Sequence, residues 1–131
     1  MASTNTSRRE AYVSIVDDDV SVRRSTERLL RSAGIQAEAF ASAEEFLRSG
    51  RVAETGCLIL DVRMPGMDGL ELQRRLGESA GWFPIIFLSA RASEEEESRA
   101  LQTGAASFLR KPVSKEVLLE AIHTALKTHV D

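Results

Sequence analysis

The residues of this chain with the clearest potential for chemistry are four aspartates, one lysine and one serine. They are Asp17, Asp18, Asp19, Asp61, Ser89 and Lys111. Carboxylates gathered in one crevice repel each other unless a cation joins them, and Mg²⁺ binds a few carboxylates together with waters and phosphate oxygens. A lysine adds a positive charge, and a serine adds a hydroxyl donor. Such a set suits phosphoryl transfer, in which a protein mainly positions groups and neutralises charge.

Nearly all of these residues lie at the end of a segment that is typical of a β-strand. The predicted strands are Tyr12–Val16, a short one near Gln36–Phe40, an apolar run from Cys57 that ends at Asp61, Pro84–Ser89 and Ser107–Arg110. A fully apolar run bounded by a Pro/Gly turn indicates a strand buried on both faces, as in a parallel sheet. Because parallel strands point the same way, their carboxyl ends meet at one edge, where α/β sheets place their ligand crevice. Taken alone, a strand-end aspartate could equally bond loop amides or cap the next helix.

Helical patterns separate the predicted strands. Ser42 with Glu45 and Ser93 with Glu96 form capping boxes that open two of the helices. The residues predicted to be buried are Val22, Leu29, Leu30 and Ala33 before Gly34, Phe46 and Leu47 after Ser42, Leu70, Leu72 and Leu76 after Gly69, and Val117, Leu118, Ala121, Ile122, Ala125 and Leu126 after Ser114. Five strands that alternate with five helices predict an α/β fold with a doubly wound parallel sheet, because each crossover must cover a face of the sheet.

Length and composition indicate one globular domain without a nucleic-acid or membrane footprint. The chain has 131 residues, of which 43% are hydrophobic and 28% charged, and its net charge is −3. We expect residues 1–10, rich in Ser, Thr and Asn, to be a disordered tail and residues 11–131 to form the domain. The lone Cys57 excludes an intrachain disulfide and is predicted to be a small buried residue. No signal peptide or membrane span is found, and a cytoplasmic location is expected.

Four segments at the predicted strand ends together resemble the receiver domain of two-component response regulators. The segments are residues 15–18, 58–69, 87–90 and 108–112, and the resemblance extends from about Val13 to Leu126. It implies a flavodoxin-like (βα)5 fold, that is, a doubly wound five-stranded parallel sheet with strand order 2-1-3-4-5. It is greatest to receivers that are joined to a LuxR-type helix-turn-helix output domain.

The resemblance implies that Asp61 is a phosphoacceptor, which attacks a phosphohistidine on a histidine kinase. Asp17, Asp18, Asp61 and the backbone carbonyl of Arg63 would then bind Mg²⁺ or Mn²⁺. Asp19, the third member of the acidic triplet, is predicted to point outward or to cap the first helix.

The resemblance also implies that Ser89 and Lys111 contact the phosphoryl oxygens and that the Lys111–Pro112 peptide bond is cis. Phe108 occupies the aromatic switch position of the family, although it could instead be a permanently buried core residue. Arg63 and Arg91 lie two residues beyond Asp61 and Ser89. Our hypothesis is that these cations shield the phosphoryl group from water; the alternative is that both are solvated bystanders.

The implied function is a phosphorylation switch in phosphorelay signal transduction. Phosphorylation would change the face formed by the fourth helix, the fifth strand and the fifth helix, and so control a homodimer, an output domain or a downstream partner. No enzymatic activity beyond self-phosphorylation and autodephosphorylation is expected. Two forms stay open, namely a stand-alone receiver that acts by protein contacts and the regulatory part of a longer transcription factor.

Three rival classes fit the sequence less well. A haloacid-dehalogenase-type phosphatase needs a second acid two residues after its nucleophile, where this chain has Arg63. A flavodoxin-like cofactor binder needs a phosphate-binding loop of Ser, Thr and Gly after the first strand, where this chain has three aspartates. A receiver that binds partners without being phosphorylated is disfavoured by the complete set of acids.

Overall fold

Strands and helices alternate along the whole of the described chain. The computed structural model describes residues 12–79 and 83–130. The strands are β1 (Tyr12–Val16), β2 (Gln36–Phe40), β3 (Cys57–Leu60), β4 (Ile85–Ser89) and β5 (Ser107–Arg110). The helices are α1 (Val20–Ser32), α2 (Ala43–Arg48), α3 (Gly69–Ser79), α4 (Glu94–Gln102) and α5 (Lys115–Val130). All strand pairs are parallel, and the order is β2-β1-β3-β4-β5. The predicted fold class and strand order are therefore confirmed.

The element boundaries differ from the prediction by one residue in two places. β3 ends at Leu60, one residue before Asp61, and β4 begins at Ile85, one residue after Pro84. The ladder nevertheless continues past β3, because the Asp61 amide donates to the carbonyl of Val16 at 3.1 Å. A single 3₁₀ turn, Val52–Glu54, was not predicted. The predicted tail of residues 1–10 lies outside the described residues.

The central strand β3 is buried on both faces, as its apolar run predicted. All four residues of β3 are at most 2% exposed, and successive side chains point to opposite faces. One core contains Leu58 and Leu60 together with Phe46 and Leu72, and the other contains Cys57 and Ile59 together with Leu30 and Ile122. This central strand therefore fixes the position of the loop that follows it.

Three residues predicted to be buried belong to neither core, and they are Val22, Ala33 and Val117. Val22 is half-buried. Val117 is 47% exposed, because the buried stripe of α5 runs through Leu118, Ile122 and Ala125 and the neighbouring position is turned away from it. Ala33 is also exposed, since it caps the C-terminus of α1 and is no longer part of the helical face. The prediction for Val117 was wrong because helical spacing alone does not fix the rotation of a helix. The prediction for Ala33 was wrong because helix ends can be placed only to within one or two residues.

Side-chain caps fix the starts of the helices near the carboxyl edge of the sheet. Asp19 caps α1 by accepting from the amides of Ser21 and Val22 at 2.8 and 3.3 Å, as predicted. Ser93 and Glu96 form the predicted reciprocal capping box of α4. At α2, Ser42 caps as expected, but the Glu45 carboxylate accepts from the amide of Ala41. Within the described residues, none of the helices is long and apolar enough to cross a membrane.

Candidate functional site

The carboxyl edge of the sheet brings three aspartates together. Val16 and Leu60 are paired neighbours in β1 and β3, so the residues that follow them, Asp17 and Asp61, leave the sheet side by side. One carboxylate oxygen from each of Asp17, Asp18 and Asp61 lies within 4.8 Å of the others. Asp17 and Asp61 are buried, whereas Asp18 is exposed. The predicted acidic cluster is therefore present and opens to solvent on the side of Asp18.

Lys111 reaches into this cluster from the end of β5. Its Nζ donates to Asp17 Oδ2 at 2.9 Å and to Asp61 Oδ2 at 3.5 Å. Two strands, β3 and β4, lie between β1 and β5 in the sheet, so the lysine side chain spans the carboxyl edge. The Lys111–Pro112 peptide bond that follows is cis, as expected. The chain thus places one positive charge between two buried carboxylates.

The charges in this cluster do not balance. Burial raises the pKa of Asp17 above its ordinary value, and the nearby charge of Asp61 adds to this effect, against hydrogen bonds from Lys111 and from the Asp19 amide. Burial alone would lower the pKa of Lys111, but its hydrogen bond with Asp17 and the charges of Asp17 and Asp61 outweigh that effect and raise it. Three carboxylates face one ammonium group. An oxygen-binding divalent cation would offset the surplus negative charge, so the residues present are compatible with Mg²⁺.

The loop after Asp61 is held close to that residue. Asp61 Oδ1 accepts from the amide of Val62 at 2.7 Å, and the amide of Gly69 donates to the carbonyl of Val62 at 2.9 Å. A Cβ atom at position 69 would overlap the backbone carbonyl oxygen of Asp61, so only glycine allows this approach. The Glu44 carboxylate accepts from the amide of Met67 at 3.0 Å and secures the other side of the loop.

Ser89, the last residue of β4, is fully buried. Its Oγ is the buried side-chain oxygen of the described residues that has no hydrogen-bond partner. Leaving a buried hydroxyl unpaired costs about 1–3 kcal/mol, and such groups in folded proteins often have a functional reason. The hydroxyl is therefore available to bond a group that enters the site.

Phe108 is half-buried and is held between two neighbours. Its ring stacks on Phe87 with the centroids 5.6 Å apart, and the Arg110 guanidinium lies 5.5 Å from the centroid of the Phe108 ring. Arg110 also donates to the carbonyl of Ala92 and to Glu97 Oε1, each at 2.7 Å. The side chain is thus neither free nor fully enclosed. Its role as a switch stays a prediction.

The two arginines beyond Asp61 and Ser89 differ in their surroundings. Arg63 Nη2 donates to Glu96 Oε1 at 3.0 Å, and this bond connects the loop after β3 with the first turn of α4. Arg91 is exposed. The sequence interpretation assigned Glu96 only to helix capping and missed this pair, and it also missed Glu44. Arg63 and Glu96 are 33 positions apart in the sequence, and Glu44 and Met67 are 23 positions apart. Contacts over such separations leave no local pattern in a sequence.

Comparisons with known proteins identify the family. The family model of the response regulator receiver domain matches residues 13–123, and the chain belongs to this family. The response regulator protein TmoT of Ectopseudomonas mendocina is 45% identical over 118 residues, which are 90% of this chain and 54% of TmoT. The transcriptional regulatory protein TdiR of Thauera aromatica is 42% identical over 114 residues, or 87% of this chain and 50% of TdiR.

A solved structure of the response regulator StyR has a TM-score of 0.83 and 44% identity, and the match covers 91% of this chain and 60% of StyR. The chain spans about half the length of the curated relatives it matches. Receiver domains of response regulators act in two-component signalling rather than as metabolic catalysts, and the family implies an aspartate phosphorylation switch. The family match also removes the reason to retain the phosphatase alternative.

Proposed function

We propose that Asp61 is the phosphoacceptor of this receiver and takes its phosphoryl group from the phosphohistidine of a histidine kinase. The observation that carries the proposal is the Lys111 ammonium group, which bonds both Asp61 and the neighbouring Asp17 at the carboxyl edge of the sheet. A carboxylate so placed is oriented for attack, and the lysine is positioned to bond phosphoryl oxygens.

The transfer forms one bond and breaks one. A carboxylate oxygen of Asp61 bonds to phosphorus while the bond from phosphorus to the histidine nitrogen breaks, and the imidazole keeps the electron pair. Lys111 and Ser89 then bond the phosphoryl oxygens, and Ser89 gains the partner that it lacks in the unphosphorylated fold. Asp17, Asp18, Asp61 and the backbone carbonyl of Arg63 are the proposed ligands of Mg²⁺ or Mn²⁺. The metal would neutralise negative charge at the phosphoryl oxygens.

Phosphorylation is proposed to change the face formed by α4, β5 and α5. Phe108 and Arg110 of β5 pack on each other, and Arg110 contacts both Ala92 and Glu97, so the end of β5 is linked to the start of α4. A displacement of Ser89 or Lys111 toward a phosphoryl group would disturb this link. The output is then a homodimer, a downstream protein or an output domain that regulates transcription, as the name of TdiR suggests. A cytoplasmic location and the absence of further enzymatic activity stay predictions.

Intact mass measured after incubation with acetyl phosphate tests the proposal. We expect the parent to gain one labile phosphoryl group in the presence of Mg²⁺ and none in the presence of a chelator. Asp61→Asn should gain none. Asp68→Asn is the matched control, because Asp68 caps α3 through the amide of Glu71 and asparagine also caps well. Equal uptake by Asp61→Asn and the parent would refute the assignment of the phosphoacceptor.

A further inference from the structure

The ion pair between Arg63 and Glu96 joins the loop that follows the phosphoacceptor to the first turn of α4. The Arg63 side chain is 54% exposed and that of Glu96 is 21% exposed. The Glu96 Oε1 atom accepts two hydrogen bonds, one from Arg63 Nη2 at 3.0 Å and one from the backbone amide of Ser93 at 2.9 Å. One carboxylate oxygen therefore serves both the helix cap and the arginine.

We propose that Glu96 is a positioning residue that competes with a phosphoryl group on Asp61 for the Arg63 guanidinium. This inference rests on the proposed function of Asp61. Arg63 is two residues beyond Asp61, and its side chain is 54% exposed. The proposal places its guanidinium on a group carried by the Asp61 carboxylate. A phosphoryl group brings a charge of about −2 and three acceptor oxygens, and a guanidinium binds such oxygens in pairs. The Glu96 carboxylate offers a single negative charge, and one of its oxygens also accepts the hydrogen bond from the Ser93 amide in the helix cap.

The competition sets the lifetime of the acyl phosphate. In its hydrolysis the oxygen of a water molecule bonds to phosphorus, the bond from phosphorus to the Asp61 carboxylate oxygen breaks, and inorganic phosphate leaves with the protons of the water shared between it and the solvent. An Arg63 guanidinium on the phosphoryl oxygens excludes water from that side of phosphorus. Glu96 draws the guanidinium away, and so it shortens the lifetime.

The same competition links phosphorylation to α4. When Arg63 moves to the phosphoryl group, the tie between the loop after β3 and the start of α4 is lost. The capping box is kept, since the Ser93 amide and the Glu96 amide retain their partners within the helix. Arg110 and Glu97 form a second ion pair at the start of the same helix, at 2.7 Å. Arg110 is the last residue of β5 and does not belong to the loop after Asp61. This second pair provides a control.

The experiment measures the half-life of the acyl phosphate by intact mass after the phosphoryl donor is removed. Glu96→Gln abolishes the charge but keeps the cap, since glutamine also serves at the third position of a capping box. We expect its half-life to be roughly twofold to fivefold longer than that of the parent, the range that corresponds to an exposed ion pair. Glu97→Gln should leave the half-life unchanged. In the Arg63→Ala background, Glu96→Gln should have no effect.

Three results would overturn the inference: a half-life of Glu96→Gln equal to that of the parent, an equal lengthening in Glu97→Gln, and a lengthening that persists in the Arg63→Ala background. The last two would show that a looser α4, rather than a released arginine, protects the phosphoryl group. Failure of the parent to take up a phosphoryl group in the same assay would instead refute the proposed function, and this inference with it. The two kinds of failure are therefore distinguishable.

Discussion

Replacement of Ser89 by alanine should stabilise the unphosphorylated protein, whereas the same replacement of Ser14 should destabilise it. Both serines are fully buried in strands of the same parallel sheet. Ser14 Oγ lies 2.8 Å from the hydroxyl of Thr55, which in turn donates to the carbonyl of Arg51 at 2.9 Å. Ser89 Oγ has no partner among the described residues. The two substitutions remove the same atom from similar surroundings, and only the hydrogen bond differs.

The expected magnitudes follow from this difference. Removing a hydroxyl that is buried and unpaired recovers its desolvation cost, about 1–3 kcal/mol, whereas removing one that is paired loses about 0.5–1.5 kcal/mol. The small void left in place of the oxygen reduces the gain at Ser89. We therefore expect the free energies of unfolding of the two variants to differ by about 2–3 kcal/mol, with opposite signs relative to the parent.

Urea-induced unfolding followed by circular dichroism, without divalent cations or a phosphoryl donor, measures these free energies. The slope of the free energy with urea should be the same in all three proteins, so that a change of midpoint reports stability. A loss of stability in Ser89→Ala as large as that in Ser14→Ala would refute the reasoning. It would show that the Ser89 hydroxyl is already satisfied in the unphosphorylated fold and is not available for the phosphoryl group.

Two further predictions concern the loop after Asp61 and the charge of Asp17. Gly69→Ala should lower the free energy of unfolding by about 1–3 kcal/mol, because the added Cβ meets the Asp61 carbonyl. Gly77→Ala should raise it by about 1 kcal/mol, because position 77 lies on the same helix but faces open space. Equal effects in urea unfolding would contradict this. Burial raises the pKa of Asp17, so the folded state binds the proton of this carboxyl more tightly than the unfolded state does. The protonated carboxyl therefore contributes stability to the fold. This contribution is full below pH 3.8 and is lost as the pH rises through the raised pKa. In metal-free buffer, the free energy of unfolding of Asp17→Asn should not show this loss as the pH rises. If the free energies of unfolding of the variant and the parent changed with pH in parallel, the prediction would be contradicted.

The position of the main site residues could be predicted from the sequence because it depends on topology. Asp17, Asp61, Ser89 and Lys111 all lie at or just beyond a strand end, and apolar runs mark strands reliably enough to place those ends within one residue. Once the strands are parallel, their ends must share an edge. The structure added distances to this arrangement, such as the 2.9 Å from Lys111 to Asp17, but did not rearrange it.

The interactions that the sequence could not reveal are those between loops and helix ends. The pairing of Arg63 with Glu96 and that of Glu44 with Met67 depend on how two separate helices sit on the sheet, and no spacing rule encodes them. The exposure of Val117 has the same origin, since it depends on a small rotation of α5. The lack of a hydrogen-bond partner for the Ser89 hydroxyl among the described residues was also beyond prediction, because it depends on which groups surround it in three dimensions.

The electrostatics of the cluster favour binding of a divalent cation together with the proposed phosphorylation of Asp61. Lys111 is shared between Asp17 and Asp61, so the metal-free cluster already carries more negative than positive charge. A phosphoryl group on Asp61 replaces a charge of −1 by one of about −2, and Lys111 alone offers no additional positive charge to meet it. Arg63 is held by Glu96 and Arg110 by Glu97, so neither is released without breaking an ion pair. A divalent cation bound by the same carboxylates would supply the missing charge without breaking either pair, and the proposed transfer of Arg63 from Glu96 to the phosphoryl group would add to it.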